Sequence, residues 1–334
     1  MAALLCSAAV QSQSLNPATF VALSSSIVRV EANDATGRLS IGTGITVAPA
    51  VVVTNCHVTR AATAVRVSGS GRLWEVTDQV ADTRHDLCFL RVPEWRGKSV
   101  VLGNSVMRRP GERVAALGFT GGTSVSLRFG RIVALHSFDV GNVIESNAAF
   151  TSGASGGGLF DTGGALIGLL TFRSRGSGGN YYALPAEWVR DRLPAESQWS
   201  ELRPLAGARP FWQGDADALP YFMRSELLES EGRWSALLDL ADRWSAASPQ
   251  DAEPRVARGK ALQELQQPVA AAAAFQDALR LAPDDPAAWY GLAIAYSALG
   301  DKPALRKAQA KLELLDDDLA AALERRVARP PGGD

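Results

Sequence analysis

The sequence is short of the features that would send it to nucleic acid or into a membrane. Its 334 residues carry 34 Lys and Arg against 35 Asp and Glu, a net charge of -1. No basic surface able to neutralise a phosphate backbone is implied. No apolar run approaches the roughly 20 residues that a bilayer crossing needs. Only three histidines (His57, His85, His136) and three cysteines (Cys6, Cys56, Cys88) occur. They form no Cys/His cluster with zinc spacing, and no glycine-rich phosphate loop precedes a helix. Neither a metal nor any other cofactor is expected.

A positively charged start is also missing from "MAALLCSAAVQSQS", yet residues 1–14 otherwise read as a truncated signal segment, apolar and ending in small residues. This favours export to a periplasm or the medium. With Cys6 removed, Cys56 and Cys88 remain as an even pair, which suits an oxidising compartment.

What is present divides the chain in two. Over 15–195, short β-branched or aromatic runs such as "SIVRVEA", "ITVAPAVVVT" and "ALIGLLTF" alternate with Gly, Asn, Asp and Ser clusters. Such a pattern predicts an all-β sandwich or barrel. Residues 196–217 read as a linker. Over 218–330, Ala, Leu, Glu, Gln and Arg recur at helical spacing, which predicts an all-α domain. Stepping by 34 residues aligns Leu228 with Leu262 and Tyr296, Ser225 with Gly259 and Ala293, and Pro249 with Pro283. Small residues fall where paired helices approach closely, and prolines where a helix stops. The block "DALRLAPDDPAAWYGLAIAYSALGD", with Trp289, Gly291, Leu292, Ala293, Tyr296 and Gly300, resembles a tetratricopeptide repeat. The resemblance spans residues 218–315 as three repeats, with "DDLAAALERRVAR" as a closing helix, and implies a concave face that takes a peptide or protein partner.

The chemistry lies in the first half. His57 follows an apolar run in "VVVTNCHV", Asp86 opens another in "HDLCFLRV", and Ser155 sits among four glycines in "TSGASGGGLFD". A serine hydroxyl is a weak nucleophile and needs a neighbouring base; histidine can serve, with a carboxylate fixing its tautomer. His, Asp, Ser is the chain order of the chymotrypsin-like class. Together with "GTGITVAPAVVVTNCHV", "FGRIVAL" and "YYALP", these stretches make residues 23–190 resemble a trypsin-fold serine protease of the bacterial HtrA (Deg) type. The resemblance implies two six-stranded β-barrels with a His57–Asp86–Ser155 triad between them. It also implies an oxyanion hole from the Gly153 and Ser155 amides.

Departures from that family are informative. Digestive trypsins carry an acidic residue before the nucleophile that pairs with a newly cut N-terminus; here it is Ala154, so another device must order the oxyanion turn. The family's specificity pocket places its floor at Ala149 and its wall at Leu169, Leu170 and Thr171. Without an acid there, a small or medium apolar side chain fits better than Lys or Arg. Arg173 and Arg175 could meet acidic substrate groups or be solvated surface. If His57 and Asp86 touch, Cys56 and Cys88 are neighbours, as a disulfide or as two buried thiols. His85 is expected to alternate away from the triad and His136 to lie in a loop. The resulting function is a serine endopeptidase acting on protein or peptide substrates, with the repeats recruiting substrate or partner. The alternative is a catalytically silent protease-fold scaffold.

Overall fold

The computed structural model describes residues 17–69, 71–121, 124–173, 180–207 and 209–328. The segment 1–14 with Cys6, and Arg175, lie outside the described residues. Helix α1 (Pro17–Ser24) leads into β1 (Ile27–Asp34), β2 (Leu39–Ala48) and β3 (Val51–Asn55). The one-turn helix α2 (Cys56–Thr59) follows, then β4 (Ala62–Gly69), β5 (Arg72–Glu75), β6 (Asp78–Asp82) and β7 (Leu87–Arg91). A second set comprises β8 (Arg113–Thr120), β9 (Ser124–Ser137), β10 (Asn142–Ser146), β11 (Gly158–Asp161), β12 (Leu166–Arg173) and β13 (Tyr181–Pro185). Helix α3 (Ala186–Asp191) and the two-residue β14 (Ser200–Glu201) complete this half.

The second set closes into a six-stranded barrel in the order β10-β13-β12-β11-β8-β9. The first is built around one bent segment, residues 72–82, that pairs with β4 and then with β7. It is an eight-stranded half-barrel, β14-β6-β7-β3-β2-β1-β4-β5, whose strands β5 and β6 are consecutive in the chain, with the Val76 N–H donating to the Val65 carbonyl and the Thr77 N–H to the Arg91 carbonyl, both at 3.0 Å, so that pairing passes from β4 to β7. Side chains pack beside the β4–β5 pair. Trp74 on the short edge strand β5 meets Trp95 edge-on at 4.7 Å. The Trp95 ring lies so near Gly69 and Gly97 that a Cβ there would come within 2.9 and 2.2 Å of it.

Strand β7 explains why "LCFL" shows no alternation. It separates two cores: Leu87 and Phe89 face one shared with the closed barrel, and Leu90 faces one with Val28, Val30, Val52 and Val67. Both faces are dry, so period-2 patterning vanishes.

Among the described residues the C-terminal half is seven stacked helices: α4 (Tyr221–Ser230), α5 (Trp234–Ala247), α6 (Glu253–Glu264), α7 (Pro268–Leu281), α8 (Pro286–Leu299), α9 (Lys302–Leu315) and α10 (Asp317–Ala328). Helices α5, α7 and α9 start 34 residues apart, at Trp234, Pro268 and Lys302. The aligned small residues have a packing cause. The fully buried Phe275 of α7 is clasped by Gly259 and Gly291, where a Cβ would stand 2.7 and 2.3 Å from its ring. Asp285 caps α8 by accepting from the Ala287 and Ala288 amides, and Gly300 ends it at φ +71°.

The two halves share a core. Phe222 of α4 and Trp244 of α5 join Phe172, Tyr182 and Trp188 in one apolar cluster. Arg131 of β9 pairs with Asp317 at 2.6 Å and reaches Asp318 at 3.6 Å. His136 is a correction to the sequence reading: it lies in β9, not a loop, and is 4% exposed. "ALHSF" looked turn-like because the partners that bury it are distant in sequence. Its ring stacks on Phe222 at 4.3 Å, with Glu145 at 2.8 Å on one nitrogen and Glu253 of α6 on the other. Burial alone would lower the His136 pKa, but the Glu253 and Glu145 carboxylates overcome it and hold the pKa well above 6.5. A charged imidazolium thus ties helix to barrel.

Candidate active site

His57 is carried by α2 directly after β3, and Asp86 by the turn ahead of β7. Strands β3 and β7 pair with Asn55 opposite Leu87 and Thr54 opposite Cys88, so the residues just beyond Asn55 and just before Leu87 meet. Asp86 is fully buried and adopts φ +58°, a left-handed conformation that turns its carboxylate inward. One carboxylate oxygen lies 2.6 Å from His57 Nδ1, and the other accepts the His57 backbone N–H at 2.8 Å. Two contacts to one residue fix both the ring and its helix. Cys56 and Cys88 flank this pair and form a disulfide, with Cα atoms 4.9 Å apart. The open choice between bridge and thiols is thereby decided.

The turn bearing Asp86 has its own brace. His85 points away from His57, because residues 83–86 turn before the strand begins. Its ring nitrogens lie 2.7 Å from Asp82 and 2.7 Å from Asp139. Partial burial pushes the Asp82 carboxyl up, but hydrogen bonds from His85 and the charge of Arg192 prevail and bring it down to about 2.

Ser155 sits in the connection between β10 and β11, where Gly153 has φ +96° and Gly156 φ +84°. At Gly156 a Cβ would fall 2.1 Å from the Thr43 carbonyl and 2.4 Å from Thr54 Oγ1. Only glycine lets this turn lie against β2 and β3, and so beside His57. Thr43 of β2, itself fully buried, holds the turn: its Oγ1 donates to the Gly153 carbonyl at 2.7 Å and its N–H to the Ser155 carbonyl at 2.8 Å. The Phe119 amide donates back to Thr43 Oγ1 at 2.9 Å. Ala154 is fully buried against Gly118, where a Cβ would lie 3.0 Å away. Packing and the threonine clamp stand where digestive trypsins use a salt bridge. Among the described residues the Gly153 and Ser155 amides donate to no acceptor, leaving both free for an oxyanion.

Ser155 Oγ donates to the Thr171 carbonyl at 3.4 Å and, among the described residues, not to His57. Asn55 joins these parts: its side-chain amide donates to the Asp86 carbonyl at 3.1 Å and to Thr171 Oγ1 at 3.0 Å. A change of Ser155 rotamer would redirect the hydroxyl without moving the backbone. Sequence reading quoted Asn55 and Thr43 inside motifs but gave them no role, since their partners lie 31 to 116 residues away.

Of the residues expected around a pocket, Ala149 is exposed and Thr171 contacts Ser155. The Leu169 and Leu170 side chains enter separate cores, so only their backbone can face a cleft. Arg173 is exposed at the end of β12. A tryptophan that sequence reading left in the linker stands at the site: Trp212 meets the His57 ring at 5.5 Å, nearly perpendicular, and stacks on Phe172 at 5.1 Å.

Among the described residues, His136, Glu145 and Glu226 could converge on a metal, as could Asp316, Asp317 and Asp318. Neither group includes a triad member, and both His136 nitrogens already face carboxylates. A cavity of about 1150 Å³ opens elsewhere, between barrel and helices, lined in part by Glu145, Glu226, Glu253, Lys260, Asp284 and Asp285.

Comparison with known proteins bears on the β half. Residues 42–169 match the trypsin-like peptidase domain family. The chain is 28% identical over 177 residues to the periplasmic serine endoprotease DegP of Salmonella typhimurium, covering 49% of this chain and 37% of that one. It is 31% identical over 166 residues to the mouse serine protease HTRA4, covering 46% and 34%. It thus spans about a third of the length of these curated relatives. In structure it resembles the active form of the Rv3671c protease from M. tuberculosis, with a TM-score of 0.51 and 23% identity, covering 59% of this chain and 92% of that chain. That likeness concerns the fold.

Proposed function

We propose that this chain is a serine endopeptidase in which His57, Asp86 and Ser155 form the catalytic triad. The observation that carries the reading is the 2.6 Å contact between the buried Asp86 carboxylate and His57 Nδ1, in a chain that also places Ser155 on a glycine turn with two unpaired amides. With Nδ1–H donating to Asp86, Nε2 is left as the base. It takes the Ser155 proton as Oγ attacks the scissile carbonyl and later protonates the leaving amine. The Gly153 and Ser155 amides receive the developing oxyanion. Asp86 does not change protonation; it fixes the tautomer and stabilises the imidazolium.

The repeats, with their tetratricopeptide-like period, would recruit substrate or partner through the face turned to β9, where the large cavity lies. The disulfide favours a compartment outside the reducing cytosol. A second reading has one observation in its favour, the Ser155 hydroxyl turned to Thr171: a silent scaffold whose site never assembles.

A fluorophosphonate probe separates the two. Covalent labelling at Ser155 in the folded full chain, absent from Ser155→Ala, is expected; no Ser155-dependent labelling would support the scaffold. The threonine clamp gives a second expectation. Thr43→Val keeps the shape but strands the Phe119 amide and the Gly153 carbonyl, each a loss of about 1–3 kcal/mol when buried. Labelling of Ser155 is then expected to slow at least ~10-fold while the protein still unfolds cooperatively. Unchanged labelling would show that the clamp does not order the turn.

A further inference from the structure

We propose that Trp212, which lies outside the matched domain, forms a wall of the cleft and restricts the substrate residue preceding the acylated one to a small side chain. The inference rests on the serine hydrolase reading above. A carbonyl attacked by Ser155 must point its oxygen at the Gly153 and Ser155 amides. The chain leading to it then runs beside His57 and the end of β12, because Ser155 Oγ itself touches the Thr171 carbonyl. That end of β12 offers an edge. Leu170 still bonds the Gly156 and Gly157 backbone, at 2.8 and 2.7 Å, while Phe172 and Arg173 beyond it pair only with β13 among the described residues. An extended peptide can add to such an edge by main-chain hydrogen bonds.

The space between His57 and Phe172, through which that peptide would pass, holds the Trp212 indole. The indole lies nearly perpendicular to the His57 ring and stacks on Phe172. Glycine, alanine or serine can slide past an indole; leucine or phenylalanine cannot without displacing it.

The segment is fastened as a wall, not draped as a strap. Phe211, 9% exposed, packs on Phe138 at 4.7 Å and on Trp188 and Phe172. Its amide donates to the Arg84 carbonyl at 3.0 Å, in the turn that sets Asp86. Upstream, the Leu205 amide donates to the Arg60 carbonyl at 2.8 Å, and the Arg60 guanidinium donates to the Gly207 carbonyl at 2.7 Å. The segment is thus anchored to the elements that carry both His57 and Asp86. The indole N–H is buried with no acceptor among the described residues, so stacking, not a hydrogen bond, positions the ring. Phenylalanine should therefore preserve the wall.

The test uses the full chain and two dipeptidyl phosphonates that share valine at the acylated position and differ in the preceding residue, glycine or phenylalanine. The wild type is expected to be labelled at Ser155 at least ~10-fold faster by the glycine probe, the discrimination a steric pocket commonly gives. Trp212→Ala is expected to reduce that ratio to below about 3, and Trp212→Phe to keep it. Trp212→Leu replaces the alanine variant if the latter does not fold. An unchanged ratio in the alanine or leucine variant, or a wild type that prefers the phenylalanine probe, would overturn the wall while leaving the hydrolase reading intact. Failure of a plain fluorophosphonate to label Ser155 in the wild type would overturn the hydrolase reading, and the wall with it.

Discussion

Asp86→Asn is expected to lower kcat/KM on any peptide substrate about 10⁴-fold, with folding retained. The expectation follows from which atoms Asp86 uses. One oxygen accepts the His57 backbone N–H, and asparagine's carbonyl can keep that contact. The other accepts from His57 Nδ1, and asparagine would place an amide N–H there. His57 must then accept at Nδ1 and carry its proton on Nε2, where it can no longer take the Ser155 proton. The backbone barely changes, because asparagine matches aspartate in shape and tolerates the positive φ of this position. The loss is thus kinetic, read as a fall in turnover without a matching fall in melting temperature. A loss under tenfold would show that Asp86 braces α2 and does not orient a base.

Replacing Cys56 and Cys88 together by alanine is expected to destabilise the β half by about 4 kcal/mol. The bridge closes a loop of 32 residues, and the chain-entropy relation gives about 3.7 kcal/mol at 25 °C for that length. Urea unfolding checks this, with the wild type showing no titratable thiol at either position before reduction. A difference below about 1 kcal/mol would mean that the β3–β7 ladder already confines the unfolded loop. Because the bridge flanks His57 and Asp86, the variant is also expected to label more slowly at Ser155 under conditions where it remains folded.

Much of the fold was legible because it rests on short-range pattern. "SIVRVEA" alternates since β1 has one face in a core, and the 34-residue period survives since each helix pair repeats one packing problem around residues such as Phe275, Gly259 and Gly291. The glycines around Ser155 were legible too, for a turn that must lie against Thr43 and Thr54 can carry little else at Gly156. Where both faces are buried, as in β7, the pattern disappeared. The bend by which residues 72–82 pair first with β4 and then with β7 was not foreseeable, since it depends on where those two strands lie and not on the segment's own neighbours. Nor was His136, whose surroundings belong to Glu145 and to a helix of the other half.

By itself the sequence determined the change from β to α near residue 200, the order of His57, Asp86 and Ser155, and the absence of an acid at position 154. Tertiary structure alone decided what takes that acid's place and what stands beside His57. Thr43 reaches Gly153 across 110 residues, Asn55 reaches Thr171 across 116, and His136 reaches Glu253 across 117. Trp212 arrives at His57 from a stretch that reads as a linker. A periodic pattern records which face of an element is dry. A hydrogen bond or a stacked ring between two distant segments leaves no such mark, because its position is set by how the sheets and helices pack and not by the neighbours along the chain.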